Sequence, residues 1–152
     1  MSMSTSIIYG YGSELKKSKN IRAFILNHGD TIKIMSEKGN VLALSILKYF
    51  EDDNNVEQIY ELFEDYESHN CEYGLNGIIA DIISEETNIR VEYRNGQDDG
   101  KEYIIFPETM PWWLNDIEKT LTEESLNEIF ERYFKELKIP CKYGDIKLEY
   151  FG

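Results

Sequence analysis

The clearest repeat of apolar and polar positions falls in residues 121–139, LTEESLNEIFERYFKELKI. Leu126, Ile129, Phe130, Tyr133, Phe134 and Leu137 recur at the 3, 4, 7, 8 and 11 spacing of one helical face. Thr122 stands at the N-cap, where its hydroxyl can accept an orphan backbone N–H. Glu123 and Glu124 meet the positive end of the helix dipole, and Lys135 and Lys138 the negative end. The pattern predicts a helix whose apolar stripe covers a sheet.

The same reading along the rest of the chain predicts a mixed architecture. Residues 6–12, SIIYGYG, read as an opening strand of β-branched and aromatic residues ended by glycines. Ser18 is placed to cap a helix running to His28, with Ile21, Phe24 and Ile25 inside and Gly29 as its stop. Residues 30–38 form a further helical piece stopped by Gly39. Asn40 opens a stronger one, with Leu42, Ile46, Tyr49 and Phe50 on one face. After the break at 52–55, Asn54 and Glu57 fit a capping box, and Val56, Ile59, Tyr60 and Phe63 form a helical stripe. A loop over 68–74 leads to a helix over 75–87, in which Ile78, Ile79, Ile82 and Ile83 predict deep burial and Asn88 a left-handed stop.

Residues 89–94 alternate Ile89, Val91 and Tyr93 against Arg90, Glu92 and Arg94, the period of a half-buried strand. Asn95-Gly96 and Asp99-Gly100 are turn dipeptides, so 101–106 returns as the second arm of an antiparallel hairpin. Pro107 and Pro111 end that arm, and 110–115 forms an aromatic connector to the covering helix. Residues 145–151 alternate again as a closing strand. The order β, several helices, ββ, α, β predicts one α+β domain over 1–152. Its small antiparallel or mixed β-sheet (N-terminal strand, central hairpin, C-terminal strand) is covered by helices.

Charge is spread unevenly along the chain. The chain carries 16 basic and 29 acidic residues, net −13. Residues 1–50 hold 7 basic and 3 acidic groups, 51–100 hold 2 and 15, and 101–152 hold 7 and 11. Between Lys48 and Arg90 no Lys or Arg occurs, while 12 Asp or Glu do. Such a field repels nucleic acid and anionic membrane and attracts a basic partner. Glu57, Glu61, Glu64, Asp65 and Glu67 lie largely on the outer side of their helix, with like charges at i, i+3 and i, i+4. Each such pair costs ~0.2–0.5 kcal/mol. Glu85 and Glu86 stand at the wrong end of theirs for the dipole, unless Arg90 and Arg94 neutralise them. A solvated face explains most charge runs; an acidic tract placed against local stability instead points to a partner.

No constellation for catalysis stands out. His69-x-Cys71 is the one close pair of good metal ligands, and His28 and Cys141 lie at no recognisable spacing from it. The two isolated cysteines form no disulfide framework and are expected to be reduced thiols. Asn95-x-Gln97-x-Asp99-Gly100 opens like a calcium loop, but its twelfth position is Phe106 rather than Glu. The glycines of 9–12 lack the Lys-Ser/Thr of a phosphate loop. No cofactor, metal or catalytic residue is therefore assigned. No apolar run approaches the ~18–20 residues of a transmembrane helix, and 1–12 lacks a signal-peptide pattern, so the cytoplasm is expected.

Trp112 and Trp113 sit on the connector beside Met110, Pro111 and Leu114. Tryptophan is favoured in binding hot spots because it buries a large area with few rotors. One ring is expected to close the end of the sheet and the other to stay partly exposed.

Tyr9-Gly10-Tyr11-Gly12, Pro111-Trp112-Trp113-Leu114-Asn115, Leu121-Thr122-Glu123-Glu124 and Tyr150-Phe151-Gly152 together resemble a pattern in small uncharacterised bacterial and prophage-type proteins. That resemblance implies no activity and no site residue. The residues point to a non-enzymatic, acidic protein-binding protein. It would be an inhibitor or immunity-type antagonist that blocks a basic nucleic-acid-handling protein, such as a nuclease, by charge mimicry and steric occlusion. Two other readings stay open: an interaction subunit bound through the aromatic connector, and a small enzyme or ligand-binding protein built on the hairpin–helix unit, with a concave pocket lined by His69, Cys71 or several tyrosines.

Overall fold

A computed structural model describes residues 5–16, 19–50, 76–95 and 100–151. Four strands form one sheet in the order β2-β3-β1-β4: β1 Thr5–Glu14, β2 Glu92–Asn95, β3 Glu102–Pro107 and β4 Gly144–Phe151. Every neighbouring pair is antiparallel. Among the described residues five helices accompany them: α1 Ile21–Asn27, α2 Gly29–Glu37, α3 Val41–Phe50, α4 Asn76–Thr87 and α5 Glu123–Leu137. The α+β class, the hairpin of β2 and β3 and the covering helix are as the sequence predicts. Among the described residues no helix is long and apolar enough to cross a membrane.

The opening strand is longer than its glycines suggested. Gly10 and Gly12 lie inside β1, opposite Pro107 and Ile105 of β3, and the strand continues to Glu14. A Cβ on Gly12 would stand 1.9 Å from the Ile104 carbonyl oxygen. Glycine is required there because two backbones meet, which is its other use in a strand. The register places Tyr11 beside Phe106 and Ser13 beside Ile104, so the residues alternating with the glycines share the helical side. Ile104 is fully buried there, with Tyr11, Tyr93 and Phe106 packed against the same core.

α5 closes this core. Thr122 Oγ1 accepts from Ser125 N–H at 3.1 Å, and Ser125 Oγ accepts from Thr122 N–H at 2.9 Å, a reciprocal cap that holds the first turn. Leu126, Phe130, Tyr133, Phe134 and Leu137 are buried, as the periodicity requires, and the helix packs on β1 and α1. α4 contributes Ile78, Ile79, Ile82 and Ile83, all fully buried, and ends at Asn88 in the left-handed region (φ 60°). Ser18 lies outside the described residues, and Asn20 caps α1 by accepting from Ala23 N–H. Gly29 opens α2 instead of stopping α1, because His28 ends the first helix and begins the second with no residue between.

Candidate functional site

The segment from β3 to α5 is tied down at both ends and bare in the middle. Glu108 N–H donates to Tyr9 O at 2.9 Å as the chain leaves the sheet. Pro111 then sets the first position of a short 3-10 turn, Pro111–Trp113, closed by Trp113 N–H on Met110 O. Beyond it Asn115 Oδ1 accepts from Glu118 N–H at 2.7 Å, and Glu118 Oε1 accepts from Asn115 N–H at 2.9 Å. The other oxygen of Glu118 accepts from Arg90 N–H at 2.9 Å, and Asn115 Nδ2 donates to Asn88 O. Glu118 is buried, so this carboxylate pins the connector to the start of the hairpin. Glu118→Ala would strip the acceptor from two backbone donors. We expect a loss of ~2–3 kcal/mol in denaturant unfolding, with faster amide exchange at Asn115 and Arg90.

Between these anchors Trp112 is 72 % and Trp113 69 % exposed, with Met110 and Ile117 also open. One ring was expected to close the end of the sheet; neither does, and in the connector Leu114 is the apolar residue that is half-buried. Leu114 forms one wall of an apolar cleft of about 570 Å³, whose other walls are Tyr9, Tyr11 and Phe106. Glu108, Asp145 and Lys147 supply its charges. Tyr11 lies opposite Asp145, and Tyr9 opposite Lys147, in the β1–β4 register. The Tyr11 hydroxyl donates to Asn127 Oδ1 at 2.6 Å, which seats the cleft beside the first turns of α5. Burial and the neighbouring Glu123 raise that phenol, so it stays protonated.

The acidic candidates divide. Glu57, Glu61, Glu64, Asp65 and Glu67 lie outside the described residues, as do His69, Cys71 and most of the Asn95–Gly100 turn. Glu85 and Glu86 are engaged within the fold, and not by the arginines first considered. Arg90 and Arg94 both fork onto Glu92, because strand alternation puts all three on one side. Glu85 instead takes Lys38 Nζ.

Glu86 joins three helices. Its Oε2 lies 2.6 Å from His28 Nδ1 and accepts from Thr31 Oγ1, while its Oε1 accepts from Tyr133 OH at 2.7 Å. His28 Nε2 lies 2.6 Å from Glu136 Oε2, and the Phe24 ring packs 4.5 Å from the imidazole. The imidazole thus bridges the two carboxylates.

Burial alone would raise the Glu86 carboxyl, but the hydrogen bonds from Thr31, Tyr133 and His28 hold it below the usual carboxylate range. Glu92 is lowered in the same way by Arg94 and Arg90. A carboxyl lowered on folding adds stability that is present above its unfolded value, about 4.3, and lost as pH falls through its folded value. The thermal midpoint should therefore fall on acidification below about pH 4. Glu86→Gln should flatten that part of the profile in thermal melts.

Cys141 is free, and burial pushes its thiol up, away from nucleophile chemistry. Among the described residues no three His, Cys, Asp or Glu gather as metal ligands. No protein-family model, curated protein or solved structure matches the chain.

The sequence marked Trp112 and Trp113 as candidates by residue type but implied that one ring is covered, offered a tyrosine-lined pocket only as an unplaced alternative, and held no sign of the role of Glu118. The Tyr-Gly-Tyr-Gly run held a signal, since alternation puts both tyrosines on one side of a strand. Their partners Phe106 and Asp145 are long-range neighbours that no local pattern brings together.

Proposed function

We propose that this chain is a non-enzymatic, acidic protein-binding protein, acting in the cytoplasm, that occupies a basic surface of a nucleic-acid-handling partner such as a nuclease. The observation that carries the reading is the pair of exposed indoles on a connector anchored at both ends. A connector anchored at both ends gives up little backbone freedom on docking, so the area its large apolar rings bury is converted into affinity at lower cost. The net charge of −13 supplies the steering: it favours encounter with positive surfaces and disfavours nucleic acid itself. Blocking would be steric, with the acidic groups standing where phosphates would bind.

Affinity capture with three baits tests this: the native chain, Trp112→Ala/Trp113→Ala, and Glu57→Lys/Glu61→Lys/Glu64→Lys/Asp65→Lys. The native bait should retain a basic nucleic-acid-binding protein that the tryptophan variant loses. For that pair, association should slow about tenfold or more between low and physiological salt. Equal retention by the tryptophan variant, or association indifferent to salt, would contradict it.

A second reading is an interaction subunit whose partner is neutral. It is favoured by the internal engagement of Glu85 and Glu86, which leaves these two acids little to offer a partner. It predicts a partner lost by the tryptophan variant and kept in full by the lysine variant.

A further inference from the structure

Resting on the interface reading above, we propose that the cleft walled by Tyr9, Tyr11, Phe106 and Leu114 receives an arginine side chain from the basic partner. Three observations converge on that occupant. The walls are aromatic, and the Tyr9 ring is 47 % exposed, so a planar cation can lie against it. The cleft carries two carboxylates, Glu108 and Asp145, against one ammonium, Lys147, which is itself engaged. Its charge therefore favours a cation over a carboxylate or phosphate. The Tyr11 hydroxyl already donates to Asn127, so Tyr11 presents its ring and oxygen lone pairs rather than a free donor.

Arginine suits this set better than lysine. Its guanidinium is planar, weakly hydrated, and able to stack on a ring while its edge forks to a carboxylate. Asp145 lies directly across from Tyr11 in the β1–β4 register and diagonal to Tyr9, whose direct partner is Lys147, so stacking surface and acceptor are near neighbours. The connector that bears Trp112 and Trp113 also supplies Glu108 and Leu114. A partner segment docked on the indoles would thus place a neighbouring side chain at the cleft mouth.

The probe is a short acetylated and amidated Gly-Arg-Gly-Arg-Gly peptide, titrated into the full chain and followed by amide chemical shifts. Shifts should concentrate at Gly10, Tyr11, Thr109 and Ile146. Asp145→Asn should weaken binding roughly tenfold, far more than one charge of thirteen contributes as diffuse attraction. Tyr9→Ala, which leaves net charge unchanged, should weaken it several-fold. The same peptide with citrulline for arginine should leave the shifts unmoved. Asp145 and Tyr9 are exposed, and an unchanged thermal midpoint in both variants establishes that they fold.

Shifts spread over other acidic segments, with affinity unchanged in Asp145→Asn and Tyr9→Ala, would overturn the proposal. Equal binding of the citrulline peptide would also overturn it, making the cleft a site for neutral ligands. The two readings fail separately. If Trp112→Ala/Trp113→Ala abolishes partner binding and Asp145→Asn leaves it unchanged, the interface stands and the arginine site falls. If neither substitution matters, both fall.

Discussion

Gly12→Ala should destabilise the protein by ~3 kcal/mol or more, although it adds a single methyl group. The added carbon would stand 1.9 Å from the Ile104 carbonyl oxygen and 2.8 Å from the Ile105 Cα. Both are backbone atoms of the neighbouring strand, so no rotamer change relieves the clash and β1 must part from β3. Overpacking of this kind costs ~1–3 kcal/mol even where side chains can yield. β1 pairs with both β3 and β4, so a shift there reaches three of the four strands. Gly29→Ala is the contrasting control. Nothing lies within 4 Å of its added Cβ, and its position in the first turn of α2 favours alanine. It should be neutral or stabilise by ~0.5–1 kcal/mol. Denaturant midpoints of the two variants beside the native chain read the difference.

Gly12 also marks where local reading of the sequence gives out. The helices were legible because their signals lie within a few turns. The Phe130–Tyr133–Phe134–Leu137 stripe, the Thr122 cap and the Asn88 stop each depend on residues three or four apart. The glycines were misread because a turn and a close backbone approach select the same residue, and only strand pairing separates them. Gly29 failed for a related reason: two helices share His28 as a junction, so a residue that resembles a stop is a start. Arg90 and Arg94 were near enough in sequence to reach Glu85 and Glu86. Strand alternation turned them onto Glu92, and a lysine and a histidine from other helices took their place. The tryptophans were legible as candidates by type alone. The cleft beneath their connector was not, because it is assembled from β1, β3 and β4 across more than a hundred residues of chain.

Trp112→Ala and Trp113→Ala should each weaken partner binding by roughly 30-fold, the ~2 kcal/mol of a hot-spot residue. The double variant should lose detectable binding. Both rings are exposed in the free protein, so removing them forfeits little packing and stability should change by less than ~0.5 kcal/mol. That separation distinguishes an interface from a structural element. A core aromatic such as Phe130, fully buried, would instead cost ~3–5 kcal/mol of stability when cut to alanine. Glu118→Ala should fall between the two, because it frees the connector without touching the rings and so restores a cost of ordering on docking.

The chain's only two tryptophans are the proposed anchors, so its tryptophan emission, excited selectively over its 11 tyrosines, reports on the proposed interface. The decisive measurement is acrylamide quenching of that emission, free and saturated with the basic protein captured by the native bait; a partner with tryptophans of its own is produced with a non-fluorescent analogue. Quenching should be strong in the free chain and only a small fraction of that in the complex, as both indoles leave water. Quenching unchanged at saturation would show that the partner binds elsewhere, and would contradict the claim that this connector is the binding site.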